Sequence, residues 1–400
     1  MAMNRMLTLA DDTFWVGVND HETELFEALW PLPYGVSYNA YLVVDEQVAL
    51  IDAVKGHFLT EHIQKIAAAL PPGKTVDYLI INHMEPDHTG AIQILRKAFP
   101  GLTLVGNKKT LDMLAAFYGV DQDCLEVDDG DIVELGRHRL QFHLTPMLHW
   151  PETMMTLDTT TGVLFSGDAF GGFGTVEQGL FDDEADLELM EGEMLRYYTN
   201  IIARYSQMVQ KGIEKVKNLT FRVVAPTHGV VWRKDPGRAV SLYDEWSRQE
   251  GEPGVTVAYA SMYGNTQRLV ETAVRALVER GVPVAVHNLS RSHASYVVAD
   301  IWRHKGLLLA CPTYNTGLFP AMDDLLRLLE NKMLKNKKVG ILGSFAWSGG
   351  AVKAMRQFTD TLHLDLVEPV VEAKGAGTEE DGEKCRELGE RLADAVMGDE

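Results

Sequence analysis

Apolar and polar positions follow two different rhythms along the chain, and the change falls at Gly251-Glu252-Pro253-Gly254. Ahead of it, from about 14 to 52, short apolar runs such as Tyr41-Leu42-Val43-Val44 and Val48-Ala49-Leu50-Ile51 alternate with turns, which predicts antiparallel strands. A helix is expected over 57–70, stopped by Pro71-Pro72-Gly73. Strands are then expected at 78–81, 102–105, 140–144, 154–157, 163–166 and 223–225, with helices at 91–99, 110–118 and 187–216. Strands in two groups with helices outside them predict an αββα sandwich for residues 1–250.

Behind the break, strand, loop and helix alternate regularly. Strands are expected at 255–259, 284–287, 306–310, 339–342 and 366–371, and helices at 266–280, 322–329, 350–362 and 379–397. That is a doubly wound parallel sheet, residues 254–400, whose ligands bind beyond the carboxyl ends of the strands. The acidic stretch from Thr378 to Glu383 reads as a solvated loop before the last helix.

Length agrees with this division, because 400 residues exceed what one hydrophobic core usually organises. The N-terminus lacks the apolar stretch of a signal peptide, and nowhere do enough apolar residues follow one another to span a bilayer, so a cytoplasmic protein is expected. Cys124, Cys311 and Cys385 stand far apart, with no Cys-x-x-Cys pair. They read as reduced thiols, not as a disulfide framework or a sulfur-ligated iron site. A formal net charge of −20 argues against nucleic acid or an anionic membrane as partner, though it does not exclude a local basic patch, for example around Lys332, Lys335, Lys337 and Lys338.

The densest chemistry is His83-Met84-Glu85-Pro86-Asp87-His88, which follows the apolar run 78–81 directly. His83 and Glu85, two apart, leave one face of an extended segment together, while Asp87 and His88 follow where the chain bends into the next helix. Two metal ions are the natural load for such a cluster. His149, Asp168 and His228 each follow another predicted strand, at the kind of junction where a rigid scaffold presents chemistry. A lone buried His or Asp is usually a hydrogen-bonded core residue; beside a loop of four ligands, these three are expected to be ligands too. The remaining histidines read as surface or packing residues, with His21 kept as a candidate to support a ligand.

A second constellation lies on three loops of the C-terminal half. Ser261, Met262, Tyr263, Gly264, Asn265 and Thr266 link its first strand to its first helix and offer hydroxyls, an amide and free backbone N–H groups to a phosphate. The loop has neither Gly-x-x-x-x-Gly-Lys nor Gly-x-Gly-x-x-Gly, so a monophosphate fits best. Alone, such a loop is more often an ordinary helix cap. Two further loops, Pro312, Thr313, Tyr314, Asn315, Thr316 and Gly317, and Ser344, Phe345, Ala346, Trp347, Ser348 and Gly349, follow the third and fourth strands and are hard to explain that way. Tyr314 and Trp347 are candidates to flank a planar ring, with a core role for Trp347 as the competing expectation.

With both motif sets in view, the chain resembles the flavodiiron proteins over nearly its whole length: a metallo-β-lactamase-like domain followed by a flavodoxin-like one. The resemblance implies a first iron on His83, Glu85 and His149, a second on Asp87, His88 and His228, and Asp168 as bridging carboxylate. Zinc hydrolases similar to this fold carry His-x-His-x-Asp-His; Glu85 in the second place makes a harder, more anionic set that suits an Fe(II)/Fe(III) pair. The three C-terminal loops correspond to the FMN-binding loops of flavodoxin. The resemblance also places Tyr197 or Tyr198 near the metal pocket as a hydrogen-bond donor, and spacing does not choose between them.

The implied activity is reduction of nitric oxide to nitrous oxide, of dioxygen to water, or of both, with electrons passing through FMN. An external donor such as rubredoxin is expected, and a head-to-tail homodimer, or a tetramer built from it, that sets the FMN of one copy beside the metals of the other. The competing enzyme class is a zinc-dependent hydrolase carrying a flavodoxin-like module, and a third reading is an electron carrier without catalysis.

Overall fold

The computed structural model describes residues 6–398. The chain divides into two compact units, Met1–Asp244 and Glu245–Glu400. The division falls inside a helix, Pro236–Arg248, that the sequence pattern did not announce.

The first unit holds two main sheets. One runs in the order Leu7–Ala10, Thr13–Trp15, Tyr41–Val44, Val48–Ile51, Tyr78–Ile80, Thr103–Gly106 and Cys124–Glu126. Its first four strands pair antiparallel and the rest parallel. The other runs Ile132–Glu134, Arg139–Leu144, Met154–Asp158, Val163–Gly167 and Val223–Pro226. Strands Val48–Ile51, Met154–Asp158 and Val163–Gly167 are buried at every position, which is why they read as continuous apolar runs. The two sheets meet face to face: the Tyr41 and Phe165 rings lie 5.2 Å apart, and the Tyr41 hydroxyl donates to the Pro226 carbonyl at 2.6 Å. The two-sheet sandwich expected from the pattern is the fold observed.

Details differ where polar residues interrupt the rhythm. The long helix expected over 187–216 is broken into Leu187–Tyr197, a π-helical turn Tyr198–Ile202, a 3₁₀ turn and Ser206–Val216. Strands Cys124–Glu126 and Ile132–Glu134 are short and largely exposed, and so carried no apolar signal.

The second unit is a parallel sheet in the order Val284–Asn288, Glu252–Tyr259, His304–Pro312, Lys338–Phe345 and Asp365–Leu366, with Val371–Lys374 also paired to Lys338–Phe345. The single strand expected at 366–371 is thus two pieces, divided around Glu368-Pro369. The expected break at 251–254 is mostly strand, since Glu252–Tyr259 begins there and Pro253 occupies its start, where a missing N–H is tolerated. Helix Glu379–Met397 packs against Asn265–Glu279 so closely that a Cβ on Gly389 would lie 2.4 Å from the Ala273 carbonyl oxygen. The stretch expected as an acidic loop opens that last helix instead: Thr378 and Asp381 form a capping box, and acidic side chains suit a helix N-terminus. Of the four lysines around which the net charge left room for a basic patch, Lys332 and Lys337 are buried. Among the described residues no helix is long and apolar enough to cross a membrane.

Candidate metal centre and cofactor cavity

Strand Tyr78–Ile80 lies between two parallel neighbours, and its exit is pinned across both sheets of the first unit. Asp52, fully buried, accepts the Asn82 N–H at 2.9 Å and its side-chain amide at 2.7 Å. Asn82 in turn accepts the Met154 N–H through its carbonyl at 2.9 Å and the Thr156 hydroxyl through Oδ1 at 2.8 Å. The next residue is His83. Pro86 then starts a short helical turn, Pro86–Thr89, whose His88 and Thr89 amides return to the Glu85 carbonyl at 3.0 and 3.1 Å. Bend and strand end together deliver four ligand-type side chains to one place.

All seven sequence-predicted ligand residues meet there. His149 Nε2 lies 2.9 Å from Glu85 Oε2 and 3.0 Å from Asp168 Oδ2, and His83 Nε2 lies 3.2 Å from Asp168 Oδ1. On the other side, Asp87 Oδ2 is 3.4 Å from Nε2 of both His88 and His228, which are 3.5 and 3.6 Å from Asp168 Oδ1. Asp168 therefore touches all four imidazoles, and the cluster has two halves that share it. Ligand-type atoms form three overlapping groups, His83/Glu85/His149/Asp168, His83/Asp87/His88 and His88/Asp168/His228.

The hydrogen-bond inventory shows what the cluster lacks. His88 Nδ1 faces the Ala53 carbonyl at 3.2 Å and His228 Nδ1 the Ser37 carbonyl at 2.8 Å; since a carbonyl only accepts, both Nδ1 atoms carry the proton. Their Nε2 atoms then point at each other across 3.1 Å, lone pair against lone pair in the neutral tautomers. Both nitrogens of His83, Oε2 of Glu85 and both carboxylate oxygens of Asp87 are buried without a hydrogen-bond partner. Such orphaned groups are costly unless a cation satisfies them. The donor set fits a pair of metal ions.

Electrostatics point the same way. Burial by itself would depress the imidazoles, yet Asp168 and Glu85 hold His83 well above its ordinary pKa. Against the same burial, Asp87 and Asp168 hold His88 at about 9, and Asp168 and Glu85 hold His149 at about 9. Burial pushes the carboxyls upward, but His149 and His83 bring Glu85 down to about 2, and His83 and His228 bring Asp168 well below the carboxylate range. Carboxylate and imidazole hold one another in their charged forms, and a bound metal would displace the imidazole protons.

Around the ligands, the Tyr197 hydroxyl donates to Asp168 Oδ2 at 2.7 Å, and Thr227 Oγ1 donates to Oδ1. Tyr198, the other tyrosine considered from the sequence, points elsewhere: its hydroxyl meets Ser206 Oγ at 3.0 Å and its ring packs on Tyr243. Successive helical residues point about 100° apart, so the two neighbours face different surroundings. His21 is exposed and pairs with Glu177 at 2.7 Å, so it supports no ligand. Asp52, Thr227 and Glu152 escaped sequence reasoning; of these only Asp52 left a signal, a charge ending a buried apolar run.

In the second unit, the three loops enclose a cavity of about 380 Å³, lined by fifteen of the residues singled out from the sequence: Ser261, Met262, Tyr263, Asn265, Thr266, Pro312, Thr313, Tyr314, Asn315, Thr316, Ser344, Phe345, Ala346, Trp347 and Ser348. Gly375 completes it. Gly264, Gly317 and Gly349 do not line the cavity but shape its loops. Gly264, at φ +88°, gives its N–H to Ser261 Oγ at 3.1 Å; Gly317 exchanges two backbone bonds with Tyr314; and a Cβ on Gly349 would collide with Glu372. The Thr266 and Ser344 hydroxyls meet at 2.9 Å and join the first loop to the third. Helix Asn265–Glu279 starts at the first loop, leaving its unpaired N–H groups at the cavity. Tyr263 is 88 % and Trp347 89 % exposed, which overturns the core role considered for Trp347 and leaves two large aromatic faces for a planar ligand. The volume is within the range of small-molecule sites.

Two protein-family models match the chain, "ODP family beta lactamase" over residues 36–229 and flavodoxin over residues 257–389. A nitric oxide reductase of Moorella thermoacetica is 33 % identical over 98 % of this chain and 99 % of its own. Among solved structures, the rubredoxin:oxygen oxidoreductase of Desulfovibrio gigas superposes with a TM-score of 0.93 at 28 % identity, covering 98 % of this chain and 99 % of that one. The flavodiiron protein of Giardia intestinalis gives 0.92 at 29 % identity, covering 98 % and 97 %.

Proposed function

The chain belongs to the flavodiiron proteins, and from that membership we propose that it reduces nitric oxide to nitrous oxide and dioxygen to water at two iron ions, using electrons relayed by FMN. The observation that carries the reading is the convergence of seven ligand-type side chains, Asp168 at their centre, with the Nε2 atoms of His88 and His228 facing each other across 3.1 Å. His83, Glu85 and His149 would hold one ion, Asp87, His88 and His228 the other, and Asp168 would bridge them. Three carboxylates with four imidazoles favour iron over softer-site metals, because oxygen donors stabilise the ferric state. When bound, the iron pair supplies a place for a diatomic molecule and a store for two electrons.

The rest is the work of this chain's own residues. Phe26 and Tyr38 place their rings edge-on to His228, each 5.5 Å away, and help keep bulk water from the cluster. Burial, then Asp168 and Glu85, push the Tyr197 phenol well above its ordinary pKa, so it stays protonated and keeps its hydrogen on Asp168 Oδ2. That bond fixes the carboxylate on which both halves depend. In the second unit the helix N-terminus and Ser261–Thr266 would take the FMN phosphate, with Tyr263, Tyr314 and Trp347 around the ring.

The electron donor is proposed to be rubredoxin or a similar small carrier, by analogy with the oxidoreductase of Desulfovibrio gigas. Two copies are proposed to pair head to tail, so that FMN of one protomer faces the metals of its partner. Exposed apolar side chains favour this: Leu25, Leu29 and Tyr34 are 43, 56 and 49 % exposed in the segment whose Phe26 packs on His228, and Tyr263 and Trp347 are exposed at the cavity. Metal and flavin analysis with anaerobic turnover tests the reading. About two irons and one FMN per chain, with nitrous oxide formed from nitric oxide, is the expected result. Zinc in the cluster with hydrolytic turnover would overturn it.

A further inference from the structure

Besides the shared Asp168, each half of the cluster is built from two stretches of chain, and in one half a buried side chain ties those stretches together. His83 and Glu85 flank Met84, and His149 sits on the turn 145–153. That turn is tied to itself: the Thr145 N–H donates to the Thr153 carbonyl at 2.9 Å, the Met147 N–H to the Trp150 carbonyl at 2.7 Å, and the Trp150 N–H to Thr153 Oγ1 at 3.1 Å. From its end Glu152, only 1 % exposed, reaches the other stretch, where its Oε1 accepts the Met84 N–H at 2.7 Å. Its second carboxylate oxygen, Oε2, is buried without a hydrogen-bond partner.

Glu152 is itself held from behind. Asn107 caps helix Lys108–Tyr118 by accepting the Lys109 and Thr110 N–H groups at 3.1 and 3.3 Å, and its side-chain amide donates to the Glu152 carbonyl. A helix cap, the His149 turn and the His83–Glu85 segment are thereby joined at one residue, Glu152, through its carbonyl on one side and its carboxylate on the other. In the other half no carboxylate plays this part among the described residues: His88 and His228 are aimed by the Ala53 and Ser37 carbonyls, and the Gly229 N–H beside His228 donates to Ser37 Oγ at 2.8 Å.

We propose that Glu152 is a positioning residue for the His83–Glu85–His149 half of the metal centre alone: its carboxylate, by accepting the Met84 amide, sets the spacing between the two ligand-bearing segments. This rests on the reading that the cluster binds two ions. A buried carboxylate would be a costly way to satisfy one amide unless the position of that amide mattered. Partners that orient ligands cost about 10–100-fold in metal affinity when lost, and here the loss falls on one ion.

The test compares the full-length protein with Glu152→Leu, which keeps bulk but has no acceptor, and Glu152→Gln, whose amide oxygen can still accept. Fe(II) is titrated into metal-free samples under anaerobic conditions while bound FMN is measured as a control. The expected result is two ions bound by the wild type, one of them weakened about 10–100-fold in Glu152→Leu, near wild-type binding restored in Glu152→Gln, and unchanged flavin. Two unaltered affinities in Glu152→Leu, equal weakening of both ions, or a Gln variant as poor as Leu would each overturn the proposal. Fewer than two ions in the wild type would bring down the two-metal reading itself, and this inference with it. Should Glu152→Leu not fold, hydrogen exchange at the Met84 amide of metal-free wild type decides: protection supports the strut and rapid exchange refutes it.

Discussion

The two units bury ionisable groups in opposite ways. In the first, four imidazoles and three carboxylates face one another in a closed cluster whose His83, His88 and His228 side chains are at most 1 % exposed. In the second, the cavity is lined by hydroxyls, amides and aromatics and opens to solvent, and the one fully buried cation, Lys337, lies among carbonyls with no ion-pair partner among the described residues. A closed cluster of opposed charges is built for ions that neutralise it; an open neutral cavity is built for a ligand that brings its own phosphate and covers the aromatics. The difference says which ligand is structural for its unit and which is a removable lid.

The largest test of that contrast is Asp168→Asn. It keeps the shape and removes the charge that touches all four imidazoles, so both ions should be lost or scrambled, and nitric oxide and dioxygen turnover should fall by more than about 100-fold. FMN content should stay at the wild-type level. Metal analysis and anaerobic assay read it, and a variant retaining both irons would show that Asp168 is not the shared ligand.

Next in size is complementation between chains. A cluster-dead variant, His83→Ala, mixed in equal amount with a flavin-dead one, Gly264→Val, should regain roughly a quarter of wild-type activity if copies exchange and pair head to tail, since half the pairs are mixed and each has one complete path. Electron flow confined to one chain predicts no recovery at all.

How much of this could be read from the sequence follows the same contrast. The metal ligands were legible because four crowd into six positions behind a strand, and the other three end strands of their own. The flavin loops were legible from their places after the first, third and fourth strands of one sheet. What stayed hidden depends on direction. Tyr197 and Tyr198 are adjacent in sequence, and only the way helix Leu187–Tyr197 is turned toward the cluster decides that the first reaches Asp168. Trp347 has the composition of a core residue and the exposure of a docking surface. Glu152 acts through a backbone amide sixty-eight positions away, which no spacing rule connects.

A smaller effect is expected at the open cavity. Trp347→Ala removes a side chain that is 89 % exposed, so the stability of the flavin-free unit should change by no more than about 0.5 kcal/mol. FMN affinity should drop about five- to tenfold, the equivalent of roughly 1–1.4 kcal/mol of stacking. Fluorescence titration of FMN into apoprotein measures it. Unchanged affinity would remove Trp347 from the flavin site and with it the picture of a ligand lying over the aromatics.

The last prediction leaves activity aside and probes the uncompensated charge through stability. Lys337 donates from Nζ to the His304 carbonyl at 2.7 Å and the Trp302 carbonyl at 3.3 Å, and burial lowers its pKa from 10.5 to about 7. Above about pH 7 the folded side chain has given up its proton while the unfolded chain keeps it to about 10.5, so between these values the unfolded state binds more protons. Stability of the flavodoxin unit should therefore rise with pH across that window, by up to about 1.4 kcal/mol per pH unit from this group, and the slope should vanish below it, where both states are protonated. Lys337→Met has no proton to exchange and leaves two carbonyls without a donor. The wild-type minus variant difference in unfolding free energy of flavin-free protein should climb from pH 7 to pH 10 and be flat from pH 5 to pH 6. Parallel curves would mean that the ammonium stays charged in the fold, and the second unit would then tolerate an unpaired buried cation that the first, with its opposed charges, never has to.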